Sequence, residues 1–273
     1  MTGTLRDRAY QAAASASALF LLLGLGAVLI DTFAAALPRL DLDFVRLPPS
    51  DAGRAGGVGP IIVSTLCILG VALAAAVPPA LGAGVFLAEL GGRLARPVRL
   101  SLEVLAGVPS IVFGLFGNAF FCKVLGLGFS ILSGGLTLAC MVLPILVKAT
   151  EEGVRAVPSE YRLGAAALGL SRGSYLWRIG LPQAMPLVVT GLVLGVGRAL
   201  AETAALIFTS GYVDRWPESL HDSGRALSIH VYDLAMNVPG GDASAHASAA
   251  VLVLAILGVN AVVAALGRWV RTR

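Results

Sequence analysis

The sequence predicts an all-α membrane protein, a single domain over residues 1–273 built as a bundle of six transmembrane helices. Three observations carry this. Hydrophobic residues make up 57% of the chain, charged residues only 13%, and the mean hydropathy is +0.85. A soluble domain of similar length carries about 25% charged residues to cover its surface. Six apolar stretches each reach or approach the ~20 residues that a helix needs to cross the hydrocarbon. Basic residues also cluster in alternate connections, as they do when one side of a membrane retains them.

The first span covers about residues 12–37. Arg6 and Arg8 precede it as in an export signal, but its apolar stretch exceeds the roughly 7–15 residues of a signal core, so it reads as a retained anchor. The second covers about 60–88, and Pro78 and Pro79 are expected to bend it near its end. The third, about 98–125, contains Gly107, Val108, Pro109 and Ser110. Pro109 frees a carbonyl, so this span reads either as a simple kink or as a broken helix lining a cavity. Glu103, near its start, is placed either at the headgroup interface or on that cavity. The fourth span is about 130–149, the fifth about 183–208 and the sixth about 247–269.

Charge orients the bundle. Arg93, Arg96 and Arg99 lie between spans two and three, Lys148, Arg155, Arg162, Arg172 and Arg178 between spans four and five, and Arg268, Arg271 and Arg273 at the end. The opposite side has Arg39, Arg46, Arg54, Lys123, Arg215 and Arg225 diluted by acids. The first side is therefore expected to be cytoplasmic, with both termini inside. Trp177 and Trp269 are expected to anchor at the inner headgroups and Trp216 at the outer ones. Nucleic-acid binding is excluded, because it needs a basic patch on a soluble fold.

Few residues suggest covalent or metal chemistry. Cys67, Cys122 and Cys140 lie in or beside apolar runs with no CxxC pair and read as small buried hydrophobes. His221, His230 and His246 lack zinc spacing, and the aspartates of the same loop (Asp214, Asp222, Asp233, Asp242) read as solvated surface or docking contacts. No nucleophile and base fall together, which counts against a membrane-embedded hydrolase or transferase. No GxxxxGK[ST] motif is present, so the chain is not expected to hydrolyse ATP.

The loop over about residues 151–182 is patterned. Pro158, Ser159 and Glu160 suit a helix start, the run from Tyr161 to Leu168 is small and apolar, and Gly169 is a natural stop. Ser171 can cap a second helix running to Leu181, with Pro182 before the next span. Such a loop is either an amphipathic helix on the headgroups or a docking element for a cytoplasmic partner. In span five, GVGRALAETAA places Arg198 and Glu202 at i and i+4 on one helical face. An Arg in mid-span costs about 2.5–3.5 kcal/mol on insertion scales. A structural pair can offset this, although Arg before Glu is the poorer order. The other reading is an ion path in which the guanidinium fork suits an oxyanion. Glu202 would then accept a proton-borne hydrogen bond, which hydrogen phosphate has and sulfate lacks. Gly195 and Gly197 are expected to let helices approach closely.

The loop resembles the EAA loop of ABC importer permeases, whose pattern is E-A-A, three residues, G, nine residues, I-x-L-P. Gly169, Ile179, Leu181 and Pro182 match it, as does Ala165, whereas Leu163 replaces the usual Glu and Gly164 an Ala. The runs GVPSIVFGLFG (107–117) and GRAxxETA (197–204) are similar to those of phosphate-specific transport permeases. ALSIHVYDLA (226–235) is similar to the outer loop of the PstA type in that family. Ala201 and Ala205 depart from the usual Gly and Pro and are expected to stiffen the helix beyond the Arg.

The resemblance implies a type I ABC importer permease bundle with a cytoplasmic coupling helix, in a bacterial inner membrane. It implies four partners besides lipid: a homologous PstC-type permease, two PstB-type ATP-binding subunits and an external PstS-type phosphate-binding protein. ATP and Mg would sit on those partners, with no cofactor on this chain. The substrate pathway would use Arg198, Glu202, Thr203, Glu103 and Ser110. The ATPase would be coupled through Tyr161, Leu163, Gly164, Ala165, Leu168, Gly169 and Ser171. A permease for sulfate or molybdate, and a secondary transporter, stand as rivals.

Overall fold

The computed structural model describes residues 5–271 apart from Gly91. Arg273 and the side chains of Arg6, Trp269 and Arg271 lie outside the described residues. In chain order the elements are α1 (Leu5–Ala36), α2 (Leu42–Arg46), a hairpin of β1 (Pro49–Ser50) and β2 (Ala55–Gly56), and α3 (Gly59–Val85). They continue with α4 (Ala95–Ala106), α5 (Ser110–Gly117), α6 (Ile131–Arg155), α7 (Ser159–Ala167), α8 (Arg172–Tyr175), α9 (Leu181–Leu200), α10 (Ala204–Ile207), α11 (Leu227–Met236) and α12 (Asp242–Arg271). Among the described residues five helices are long and apolar enough to cross a membrane, or six if the bent pair of α4 and α5 is counted as one span. The chain is a multi-pass membrane protein.

Burial sorts the spans by composition. The central layer is α3, α6 and α9, with α12 against α9 and α1 outermost on α12. Ser, Gly, Thr and Ala fill α6 from Ser133 to Ala139, so it can be packed on several sides, and 67% of its apolar window is buried. The corresponding window of α1 is wholly unburied. Leu, Phe and Val all round such a helix suit lipid or another subunit.

Of the two readings of the third span, a simple kink or a broken helix, the structure has the broken helix. α4 and α5 meet at 99° across residues 107–109. Pro109 has no N–H to continue the ladder, and it restricts the residue before it to extended backbone. The fifth span is also broken, because α9 ends at Leu200 and α10 restarts at Ala204. The carboxylate of Glu202 accepts the amide of Ala205 at 3.1 Å, a local cap that competes with the helical ladder. The alanines at 201 and 205 therefore do not stiffen this helix. Pro182, by contrast, interrupts nothing. α8 passes through a π turn (Leu176–Gly180) into α9, and residues 172–200 form one continuous span. The wide turn puts Pro182 at the start of the renewed ladder, where its missing donor costs little. Likewise α3 runs on past Pro78 and Pro79 and leaves α geometry only at a second π turn, Phe86–Leu90.

Candidate functional site

A cavity of about 560 Å³ lies between α4, α6 and α9 at the end of the bundle that carries Arg99, Lys148 and Arg155. Its floor is an ion cluster. Glu151, 6% exposed, accepts Arg99 Nε at 2.6 Å and Arg155 Nη2 at 3.0 Å. Arg99 Nη2 also donates to the Leu87 carbonyl at 3.0 Å. A carboxylate this buried is tolerable only because two guanidiniums neutralise it. Glu103 and Lys148, also on the wall, are exposed and make no ion pair among the described residues. The α9 wall is Leu187, Thr190, Gly191 and Leu194. This i, i+3, i+4 stripe continues, one turn beyond Leu194, at Arg198. Close approach of α9 to α6 is made by Gly191, where any Cβ would overlap that of Ala149. Gly195 and Gly197, expected to do this, make only ordinary contacts.

The five expected pathway residues are therefore not gathered in one pocket. Glu103 lines the cavity. Arg198 is exposed on the chain and has no hydrogen-bond or ion-pair partner among the described residues. Glu202 is buried, caps α10, and its carbonyl accepts Ser228 Oγ at 2.6 Å. Since α9 ends between them, Arg198 and Glu202 do not share a helical face and do not pair. Ser110 and Thr203 are half-buried, each beside one of the helix breaks. The segments that restart after those breaks, α5 and α10, pack on each other, with Asn118 Nδ2 donating to the Phe208 carbonyl at 2.8 Å. The sequence reading missed Glu151 and Arg99. The signal was an acid doublet, Glu151–Glu152, embedded in an otherwise basic connection.

At the same end, α7 stands out from the bundle. It closes with two bonds, Gly169 N–H to the Ala166 carbonyl at 3.0 Å and Leu170 N–H to the Ala165 carbonyl at 3.0 Å. Gly169 has φ +71°, so this is the left-handed stop that favours glycine. Ser171 Oγ caps α8 by accepting Ser174 N–H at 3.2 Å. Leu163 and Leu168 are 69% and 82% exposed, with Tyr161 and Gly164 beside them. Ala165 differs from these neighbours: at 3% exposure it is buried within the chain.

The opposite end carries a second polar cluster. Arg225 lies 3.7 Å from both Asp214 and Asp233, donates through Nε to the Tyr212 carbonyl at 2.9 Å, and lies 3.3 Å from His230 Nδ1. Asp233, 22% exposed, and Asp214, 45% exposed and still largely solvated, are counter-charges to Arg225. His230 is 1% exposed, and its Nε2 has no partner among the described residues. Burial, and secondarily the Arg225 charge, holds its pKa down to about 4.

Residues 80–273 match the family of the binding-protein-dependent transport system inner membrane component. The chain is 30% identical over 251 residues to the probable ABC transporter permease protein YqgI of Bacillus subtilis, covering 86% of this chain and 84% of that one. It is 36% identical over 222 residues to the phosphate transport system permease protein PstA 1 of Mycobacterium tuberculosis, covering 80% and 73%. A solved bacterial ABC transporter involved in alginate import superimposes with TM-score 0.61 over 96% of both chains at 15% identity, a likeness of fold.

Proposed function

Because the chain belongs to the family of binding-protein-dependent transport system inner membrane components, we propose that it is the PstA-type permease subunit of an ATP-driven phosphate importer. It forms half of the anion path, with a homologous PstC-type permease supplying the other half. The observation that carries this reading is Arg198, a guanidinium one turn beyond the cavity stripe with no counter-charge among the described residues. Facing lipid, it would cost several kcal/mol. Facing a homologous subunit and a passing oxyanion, the same charge is solvated by its cargo. The relatedness to a phosphate permease over most of both chains supports phosphate as that oxyanion.

In this reading the basic end is cytoplasmic, both termini are inside, and the membrane is the bacterial inner membrane. A phosphate-binding protein delivers its ligand to the end that carries Arg225 and His230. Two ATP-binding subunits, which hold ATP and Mg, grip α7 through Tyr161, Leu163, Gly164 and Leu168. Their closure turns the path outward and their reopening turns it inward, where phosphate passes Arg198 and then the wall of Glu103. Glu202, Thr203 and Ser110 shape the two helix breaks beside that route. Net import requires that ATP and phosphate favour different states at different steps.

The test is uptake of radiolabelled phosphate by cells lacking only this chain, with and without its gene restored, in the presence of excess sulfate or molybdate. Restored uptake that neither competitor reduces is expected. Uptake that is absent, or is competed away by either ion, overturns the assignment.

A further inference from the structure

Two cavities meet at one π turn. Glu89 and Arg162 line a cavity of about 350 Å³ between the end of α3 and α7. Arg99, Glu151 and Arg155 line the larger cavity of about 560 Å³. The turn Phe86–Leu90 lines the smaller cavity through Glu89 and Leu90 and reaches the larger one through the Leu87 carbonyl, which Arg99 holds. On one side of it, Glu89 is ion-paired to Arg162 of α7. On the other, the carbonyl of Leu87, itself 2% exposed, is held by Arg99 at 3.0 Å and Arg155 at 3.5 Å. Those two guanidiniums also share Glu151, which ties α4 to α6 across the cavity floor.

We propose that this π turn is the joint through which α7 controls the cavity, with Glu89, Arg162, Arg99 and Glu151 as its positioning residues. The inference rests on the reading of α7 as the element gripped by the ATP-binding subunits. α7 reaches the joint by two routes. Its Arg162 holds Glu89 directly, and its N-terminus follows Arg155 by three residues of linker, 156–158. Both routes converge on the Leu87 carbonyl. The pair favours positions of α7 and Glu89 that keep them together, by about 0.2–1 kcal/mol for an exposed pair, so a displacement of α7 biases Glu89 and the turn in the same direction. A π turn is the element suited to such a shift, because its wide ladder can exchange carbonyl partners without unwinding the helix. Once the Leu87 carbonyl moves, Arg99 loses that anchor and keeps Glu151, so α4 stays tied to α6 while its hold on the end of α3 is released and the cavity floor can shift as one unit.

The test uses the whole complex (both permeases, the ATP-binding subunits and the binding protein) reconstituted in vesicles, with phosphate import and ATP hydrolysis measured together. Glu89→Gln is expected to keep the ATP-binding subunits bound while phosphate imported per ATP falls about five-fold, the upper end for a half-exposed pair. The reversed pair, Glu89→Arg with Arg162→Glu, is expected to restore the ratio to within about two-fold. Arg162→Gln, at an exposed side chain, is read by the same ratio, so a folding defect at Glu89 does not leave the question open. An unchanged ratio in Glu89→Gln or Arg162→Gln overturns the joint, as does a lowered ratio that the reversed pair fails to recover. Failure of the unsubstituted permeases to retain ATP-binding subunits would instead strike the importer reading.

Discussion

Replacing Arg198 by Ala separates a transport residue from a structural one. Within the chain the side chain is exposed and has no partner among the described residues. Its removal therefore leaves no orphaned charge and no cavity, and the expected change in chain stability is within about 0.5 kcal/mol. What it removes is a set of hydrogen bonds to a charged acceptor in transit, worth about 1.5–3 kcal/mol. At about 1.4 kcal/mol per decade this is a loss of roughly ten- to a hundred-fold in uptake rate at limiting phosphate. Arg198→Lys keeps the charge without the planar fork and is expected to fall between the two. The assays are phosphate uptake into vesicles holding the complete complex and thermal unfolding of that complex in detergent. Parent-rate uptake by Arg198→Ala would refute the role. A fall in unfolding temperature matching the loss of uptake would refute the claim that the residue is structurally idle.

Acidification from pH 7 to 4 is expected to loosen the cluster around Arg225 and His230. His230 is held neutral in the fold, with its pKa lowered from 6.5 to about 4. The associated stability is complete above pH 6.5 and declines as pH falls toward 4, by about 3 kcal/mol in total. Hydrogen exchange in α11 should report it, and His230→Leu should flatten the profile. Gly191→Leu forces a side chain into the Ala149 contact and is expected to destabilise the α6–α9 pair by about 1–3 kcal/mol, seen as a lower unfolding temperature. Leu168→Asp, at a side chain 82% exposed, is expected to leave the fold within about 0.5 kcal/mol while reducing copurification of the ATP-binding subunits. Glu202→Gln retains an oxygen that can accept the Ala205 amide, so the helix break should persist. A drop in phosphate uptake would then report the lost carboxylate itself.

What was legible in the sequence was local. Hydropathy placed an apolar helix in each expected stretch, because burial in lipid depends on composition more than on neighbours, but it set the fifth at 183–208 where the helix runs over 172–200. The stop at Gly169 and the cap at Ser171 were visible because each is made by a residue acting on its own backbone. The break at residues 201–203 was not visible, since apolar residues continue through it and Glu202 looked like a charge to be paired rather than a cap. The Glu151 cluster was equally hidden. Its partners are Arg155, one turn away, and Arg99, 52 positions earlier in the chain, and no short window brings the three together. The burial of Ala165 depended on how the chain folds around α7, which a motif match does not record.

The cavity has consequences for the life of the subunit in the cell. Glu103, Lys148, Leu194 and Arg198 all lie on the chain's outer surface, so the molecule is an open trough and not a tube. A copy without the proposed partner permease would leave the Arg198 guanidinium facing lipid, at a cost of several kcal/mol. Its abundance should therefore track that of its mate, and pulse-chase labelling with the other permease withheld should show rapid turnover.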